Sequence, residues 1–440
     1  MNKVNKASSI SKDFPTATKP SSEANWQKLI AKAVGDKTYQ DALCHKSEDG
    51  FFIDPAPKAS AHNTPHQKQS GDYVLVAFIE RGTIACANDD ILKDLAGGAG
   101  AVHIVLDIEG KRGRGIVIHS QDDFSKLLAG VYLNFIPLTI DAGQGYTKAI
   151  EMLMHEYQIQ EVDPSKAVAR LNVALTKRDV GLSQLILSIR KNLPNFSCVG
   201  VDGAACHNAG ASEAQELAFM LASGVAALRQ MESVGLSVAE ANAQIIFHIG
   251  LSQDVFLGIA KIRSFRYMWG EILKNCGLDS AKAALYAQTS QRMMSVEDIE
   301  VNILRTTAAS FAAMLGGVDG LSILPYDLSL SSDATHRKAR RAARNIAIIL
   351  EEEGFLTRTH DVSAGSHSIE ALGDQLSQTA WGLFQQIEIE GGIALALENG
   401  TIASWMLETS EKRNSAIASG ETTIIGVNAF REEIEKGGAA

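Results

Sequence analysis

Cys206-His207 sets a thiol beside an imidazole near a strand end. It follows a strand-like run, SCVGVDG at 197–203, and precedes a helix-like run at 211–232. A thiolate beside an imidazole could act as a nucleophile, and a helix N-terminus lowers a thiol pKa. A cysteine in apolar company reads first, however, as a small buried hydrophobe. Asp202 and Asp327 also stand at the ends of strand-like runs. Facing one another, two carboxylates could do acid–base work. Each could equally cap the segment that follows, which is the simpler reading. His248, inside QIIFHIG, reads as a hydrogen-bonded core imidazole before it reads as a functional group. GKRGRG at 110–115 lacks the G-x-G-x-x-G spacing and opens no helix at once, so it reads as an exposed turn rather than a phosphate cradle.

Other chemistries are poorly served. The eleven histidines form no cluster, and HExxH, CxxC and HxH do not occur, so no metal is expected. His45 and His207 each follow a cysteine, but adjacent side chains diverge. No GxSxG elbow and no GxxxxGK[ST] loop is present. The basic run THRKARRAARN carries Arg337, Lys338, Arg340, Arg341 and Arg344. At helical spacing these read as a solvated face paired with Glu351 to Glu353, with an anion site as the sharper alternative.

The elements that must position these residues alternate. Strand-like runs fall at 73–79, 101–107, 131–141, 170–176, 197–203, 244–250, 283–289 and 320–326. Most are near-continuous apolar stretches, as expected of parallel strands covered on both faces. Helix-period stretches lie between them at 84–96, 120–129, 144–157, 179–192, 211–232, 252–276 and 295–315, and two more follow at 334–353 and 368–390. GGAG at 97–100 and Gly316-Gly317 read as helix stops. About eight strand–helix units predict an α/β fold, a (β/α)8 TIM barrel in preference to a doubly wound sheet. Residues 1–72 read as an N-terminal arm with a short helical piece at 26–34 and an irregular stretch at 54–72. The barrel is expected over 73–400, and a helical tail over 401–440.

Composition closes off several function classes. The chain has 440 residues, 45% hydrophobic and 21% charged, with a formal net charge of −10. That balance is globular, and the acidic excess disfavours a nucleic-acid partner. No run of eighteen apolar residues occurs, and the polar N-terminus has no signal-peptide core, so no membrane partner is expected. Five unclustered cysteines suit reduced thiols and a cytoplasmic location.

The longest signal is a sequence resemblance. MMSVEDIEVNILRTTAASFAAMLGGVDGLSILPYDLSL at 293–330 and ARRAARNIAIILEEEGFLTRTHDVSAGSHSIEALGDQLSQTAWGLFQQIEIEGG at 339–392 resemble the barrel domain of the methylmalonyl-CoA mutases. GASEAQELAFMLASG at 210–224 and IAKIRSFRYMW at 259–269 extend the likeness, as does the N-terminal FP…W…LIAKAVG segment. The likeness covers roughly residues 14 to 400 and is strongest to the small, or beta, subunit. It implies an isomerase complex of propionate metabolism, a heterodimer that interconverts succinyl-CoA and (R)-methylmalonyl-CoA with adenosylcobalamin. It also implies a catalytic, or alpha, subunit as partner.

Residue by residue, the implied catalytic groups are missing. Where the catalytic chains of the family have Tyr-His after the central strand, this sequence has Ala204 and Ala205. The family's Arg-x-Ser, which contacts CoA, is replaced at Gln244 and Ile246. Gln288 is retained in Gln288-Thr289-Ser290, but the family histidine two places earlier is Tyr286. Val, Leu, Ile and Phe predominate in the strand runs, which predicts a filled barrel without a channel. D-x-H-x-x-G, the family's cobalamin ligand motif, does not occur; Asp333 and His336 have the wrong spacing. No C-terminal cobalamin-binding domain is expected on this chain. The expectation is a non-catalytic small subunit with no catalytic residue, no confident substrate residue, no metal and no cofactor of its own. Adenosylcobalamin would sit on the partner chain, and acyl-CoA would be met only through the complex. The alternatives are an active acyl-CoA mutase subunit using a cobalamin domain on a separate chain, and an unrelated lyase or aldolase on the same barrel.

Overall fold

The structure, a computed structural model, describes residues 23–58, 73–177, 179–189, 193–279, 281–328, 330 and 333–431. The N-terminal arm up to residue 22 and most of the irregular stretch at 54–72 lie outside the described residues, as do the side chains of Asp333 and His336.

Described residues 23–57 belong to one compact unit. Its helix runs Glu23–Val34, three residues longer than its sequence pattern suggests. A second turn of helix, Tyr39–Leu43, is capped by Thr38, and His45–Lys46 pairs antiparallel with Phe52–Ile53. Tyr39 Oη donates to Asp54 Oδ1 at 2.6 Å and ties the helical turn to the hairpin.

The second unit holds the barrel. Its strands are β1 (Val74–Ile79), β2 (Ala101–Ile108), β3 (Leu138–Asp141), β4 (Ala169–Val173), β5 (Phe196–Asp202), β6 (Ile245–Leu251), β7 (Ala284–Thr289) and β8 (Gly320–Ser322). All neighbours are parallel. β8 pairs back onto β1 through Gly320 and Val74, and β1 pairs with β2, so the sheet closes. The helices are α1 (Ile84–Ala96), α2 (Gln121–Leu127), α3 (Tyr146–Ile159), α4 (Val180–Ile189), α5 (Glu213–Ser233), α6 (Val255–Asn275), α7 (Val301–Gly316) and α8 (Asp333–Ile348). The chain is a (β/α)8 TIM barrel.

Local chemistry explains the boundaries. Thr83, Ser120, Ser212 and Asp254 each accept a backbone N–H at a helix start. Gly317 ends α7 at φ 82°, a left-handed turn that a side chain disfavours. The run at 131–141 yields a strand only at 138–141. Pro137 has no N–H for a ladder, although its carbonyl accepts from Val102 N at 3.0 Å. A short helix, Gly203–Asn208, and a strand, Ile116–Ile118, are additions to the plain repeat. Three further helices, His367–Ile389, Ile393–Glu398 and Thr401–Ser419, pack onto the barrel helices.

The apolar side chains of the strands lie mainly on the outer wall. Phe247 of β6 stacks edge-on against Phe265 and Trp269 of α6, at 4.7 and 4.8 Å between ring centres. Burying such rings contributes about 1.5–3 kcal/mol each. The alternate residues of the same strands face the axis, and many are polar. The expectation of an aliphatic, filled barrel is therefore corrected. Parallel strands are covered on both faces, and an apolar run with one polar residue does not reveal which parity faces in.

Candidate functional site

The inward residues enclose a cavity of about 200 Å³. At its middle level stands a row of rings and a cation. Phe78 of β1 meets His103 of β2 edge-on at 5.1 Å, His103 meets His248 of β6 at 5.4 Å, and His248 faces Tyr286 of β7 at 6.1 Å. The guanidinium of Arg170, from β4, lies 5.2 Å from the Tyr286 ring centre. β2 and β6 stand on opposite sides of an eight-stranded barrel, so their imidazoles meet across the axis. The row spans the barrel from β1 through β2 and β6 to β7.

Three neighbours make room for these groups by having no side chain. A Cβ at Gly320 would lie 2.3 Å from the Tyr286 ring, and one at Gly200 would lie 1.5 Å from Asn172 Oδ1. The third, Gly250, leaves space for His207, whose ring would come within 2.8 Å of a Cβ there.

The imidazoles of the row are neutral. Burial, then the neighbouring His248 and arginines, holds His103 well below the ordinary histidine pKa. Burial lowers His248 too, against the opposing pull of Asp202 and Asp141. The Nε2 atoms of both rings, and Oδ1 of Asn172, are buried without a hydrogen-bond partner. His248 is thus not the hydrogen-bonded core residue its sequence setting suggests; it faces the cavity.

The rim is built by the turn at 109–115. Asp107 accepts from the backbone N–H of Arg112 (2.8 Å) and Gly113 (2.9 Å), which fixes the turn. Arg112 reaches Asp141 Oδ1 at 2.7 Å and the Asp141 carbonyl at 2.8 Å. Arg114 meets the other carboxylate oxygen at 3.3 Å and lines the cavity. The turn read from GKRGRG is therefore no phosphate cradle. It is a mostly exposed turn, as its composition suggests, and it also delivers the Arg114 cation to the rim, which glycine spacing alone does not reveal.

Asp202 accepts from Ala205 N at 2.9 Å and caps helix 203–208, as its position suggested, while also lining the cavity. Ala204, Ala205, Ile246 and Gln288 come together around the same cavity. Gln244 does not. Its amide donates to the Phe196 carbonyl at 3.1 Å, at the start of β5, on the opposite end of the barrel.

Cys206 and His207 turn away from the cavity. Cys206 is buried inside helix 203–208, 3.8 Å from Met406 Sδ, and burial pushes its thiol up. The thiol is a packing group, not a poised nucleophile, because it lies within the short helix rather than before one. His207 is fully buried. Its Nδ1 lies 2.9 Å from Glu216, its Nε2 3.0 Å from Ser290 Oγ. Lys261 of α6 pairs with both Glu213 and Glu216 and donates to the Gly250 carbonyl at 2.7 Å. Burial drives Glu216 up to about 8 against the pull of Lys261. Burial also raises Glu213, but Lys261 and Arg292 outweigh it and leave its carboxyl below the ordinary value. Ligand atoms of His207, Glu213 and Glu216 converge within 4.8 Å of one another. The ammonium of Lys261 already supplies the positive charge among them, so the cluster is a closed structural knot.

The basic helix also departs from its expected pairing. Arg340 and Arg344 both pair with Asp94 of α1, and Arg337 lies 3.5 Å from Asp89. Glu351 to Glu353 follow in a π turn, and Glu351 instead accepts from Tyr73 Oη at 3.1 Å. Spacing along one helix cannot show that the acids of α1 pack across from it. Arg337, Lys338 and Arg341 remain exposed.

A corrin held by this chain through an axial histidine would need an accessible imidazole at the cavity mouth. His103 and His207 are buried, and His248 stands in the ring row inside the barrel. These residues do not fit that group. Among the described residues no helix is long and apolar enough to cross a membrane.

Comparison with known proteins agrees with this architecture. The family model described as methylmalonyl-CoA mutase matches residues 90–438. A methylmalonyl-CoA mutase small subunit of Streptomyces virginiae is 31% identical, over 96% of this chain and 72% of its own length. A probable methylmalonyl-CoA mutase small subunit of Mycobacterium tuberculosis is 32% identical, over 82% of this chain and 59% of its own. The large subunit from Propionibacterium freudenreichii is 26% identical over 78% of this chain and 51% of its own length. The chain thus spans between about half and three quarters of these relatives. Closed barrel, matched span and identities together establish that the chain belongs to the methylmalonyl-CoA mutase family.

Proposed function

We propose that this chain is the non-catalytic small subunit of a heterodimeric, adenosylcobalamin-dependent methylmalonyl-CoA mutase, and that it stabilises the catalytic subunit. The observation that carries the reading is the ring row across the axis. A CoA thioester threaded through the barrel needs a passage, and His103, His248, Tyr286 and Arg170 stand across it. At the mouth, Ala204 and Ala205 offer methyl groups where a thioester carbonyl would need hydrogen-bond donors. The small-subunit names of two relatives point the same way. In this reading adenosylcobalamin and the rearrangement belong to the partner chain.

The test is calorimetric titration of the purified chain with methylmalonyl-CoA and succinyl-CoA, followed by titration with a catalytic subunit. No heat from the esters and a saturable protein–protein signal are expected. Absence of a complex at micromolar concentrations would overturn the subunit reading.

One observation favours a second reading. The polar cavity retains Gln288, which suits an active acyl-CoA subunit served by a cobalamin domain on another chain. Micromolar binding of either ester by the isolated chain would select it.

A further inference from the structure

The cavity holds polar groups that the subunit role does not use. Among the described residues Arg170 donates no hydrogen bond and pairs with no carboxylate. Its only partner there is the Tyr286 ring face. Arg114, by contrast, is engaged by Asp141. Two residues along the same inward face of β4 from Arg170, Asn172 Oδ1 accepts nothing. His103, 8% exposed, and His248 each present an Nε2 without a partner. Leaving a buried polar atom unpaired costs about 1–3 kcal/mol, so the three buried atoms, Asn172 Oδ1 and the two Nε2, beside the half-buried Arg170, call for an occupant that satisfies them.

The chemistry narrows the occupant. One unneutralised guanidinium suits one carboxylate, which it can bind through two N–H donors. A second negative charge would face Asp141 and Asp202, which also line the cavity. The Asn172 oxygen requires a donor, which a hydroxyl provides. Arg170 and Asn172 both line the cavity from β4, whose pairing with β5 is irregular between Arg170 and Val173, so hydroxyl and carboxylate should be separated by a short carbon spacer. A cavity of about 200 Å³ is many times the space one water needs and admits a molecule of a few carbons.

We propose that the barrel interior is a binding site for a small hydroxy-monocarboxylate, its carboxylate held by Arg170 and its hydroxyl donating to Asn172. The neutral imidazoles of His103 and His248 complete the shell. The inference does not depend on whether the chain pairs with a catalytic subunit.

The experiment is NMR of the full chain with 15N-labelled histidine, titrated with 3-hydroxybutyrate, butyrate, succinate and succinyl-CoA. Saturable shifts of the His103 and His248 ring nitrogens are expected with 3-hydroxybutyrate. Butyrate, which lacks the donor, should bind about tenfold more weakly. Arg170→Gln should weaken 3-hydroxybutyrate by tenfold or more at an unchanged circular dichroism spectrum. If that variant does not fold, Asn172→Leu carries the test: it should abolish the preference for 3-hydroxybutyrate over butyrate. Absence of a saturable shift at about 50 mM, equal binding of butyrate, or tighter binding of succinate would overturn the proposal. So would the same histidine shifts with succinyl-CoA at lower concentration, which would give the cavity to a thioester. Failure to capture a catalytic subunit would bear on the subunit reading alone.

Discussion

Lys261→Met isolates the energetics of the buried charge knot. Lys261 is fully buried and pairs with Glu213 and Glu216, and its Nζ holds the Gly250 carbonyl at 2.7 Å. Methionine retains the length and apolar stem of the side chain but no charge. Breaking a buried ion pair by removing one partner costs about 3–5 kcal/mol. Leaving the Gly250 carbonyl unpaired adds about 1–3 kcal/mol. Arg292 remains 3.2 Å from Glu213 and offsets part of this, so a net loss of about 4–5 kcal/mol is expected. Against a typical total of about 5–15 kcal/mol, that leaves a marginal fold. Urea titration under reducing conditions, followed by circular dichroism and tryptophan fluorescence, measures it. The triple variant Lys261→Met, Glu213→Gln, Glu216→Gln removes the stranded carboxylates as well. It should recover at least half of the loss, since neutral replacements of buried ion clusters are often close to neutral overall. A loss below about 1 kcal/mol in the single variant, or no recovery in the triple, would refute the reasoning.

Three other outcomes are expected. His103 is held well below its unfolded value of 6.5, so the unfolded chain binds more protons between the two values. Its contribution to stability is therefore present above 6.5 and lost as pH falls through that window. The melting temperature should drop between about pH 7.5 and about pH 5.5, and drop less in His103→Phe, as a thermal melt at each pH will report. Gly224→Ala places a Cβ 2.7 Å from Trp269 Cζ3 and 2.9 Å from Phe247 Cζ, both of them packed rings. It should cost about 1–3 kcal/mol and shift the fluorescence as the Trp269 indole leaves Asn242. Brief iodoacetamide treatment with peptide mapping should label the exposed Cys86 and Cys276 and spare the buried Cys198 and Cys206 until the chain is unfolded.

The barrel was legible because its signals are local. All eight strand runs and the seven helix stretches between them overlap observed elements, since apolar runs and 3.6-residue periodicity survive without tertiary information. Asp202 announced its capping role through its place at a strand end. The interior was not legible. His248 in QIIFHIG, and Arg170 and Asn172 in RLNVALT, are polar residues scattered in apolar runs, and no local rule says whether they face axis or helix. Arg170, Asn172, His248, Tyr286 and Gln288 share the inward face, and only alternation matched from strand to strand carries that signal. The partner of Asp94 was out of reach, because Arg340 and Arg344 lie 246 and 250 residues away. Cys206 is the buried packing residue its apolar company suggests; helix 203–208, which the sequence pattern does not mark, precedes α5 and holds the thiol.

The vacant seats at Gly200, Gly250 and Gly320 bear on how this interior can change by descent. Each bare position is occupied by a large polar side chain of its neighbour: Asn172, His207 or Tyr286. A mutation at the bare position alone is blocked by collision, while shrinking the neighbour first opens a void that a new side chain can then fill. Two substitutions in a fixed order are therefore easier than either in the reverse order. Such one-way steps make the polar lining resistant to gradual loss. Among related chains, positions 200 and 172, and 320 and 286, should vary as couples together with the polar interior, and positions 250 and 207 as a couple together with the buried charge knot.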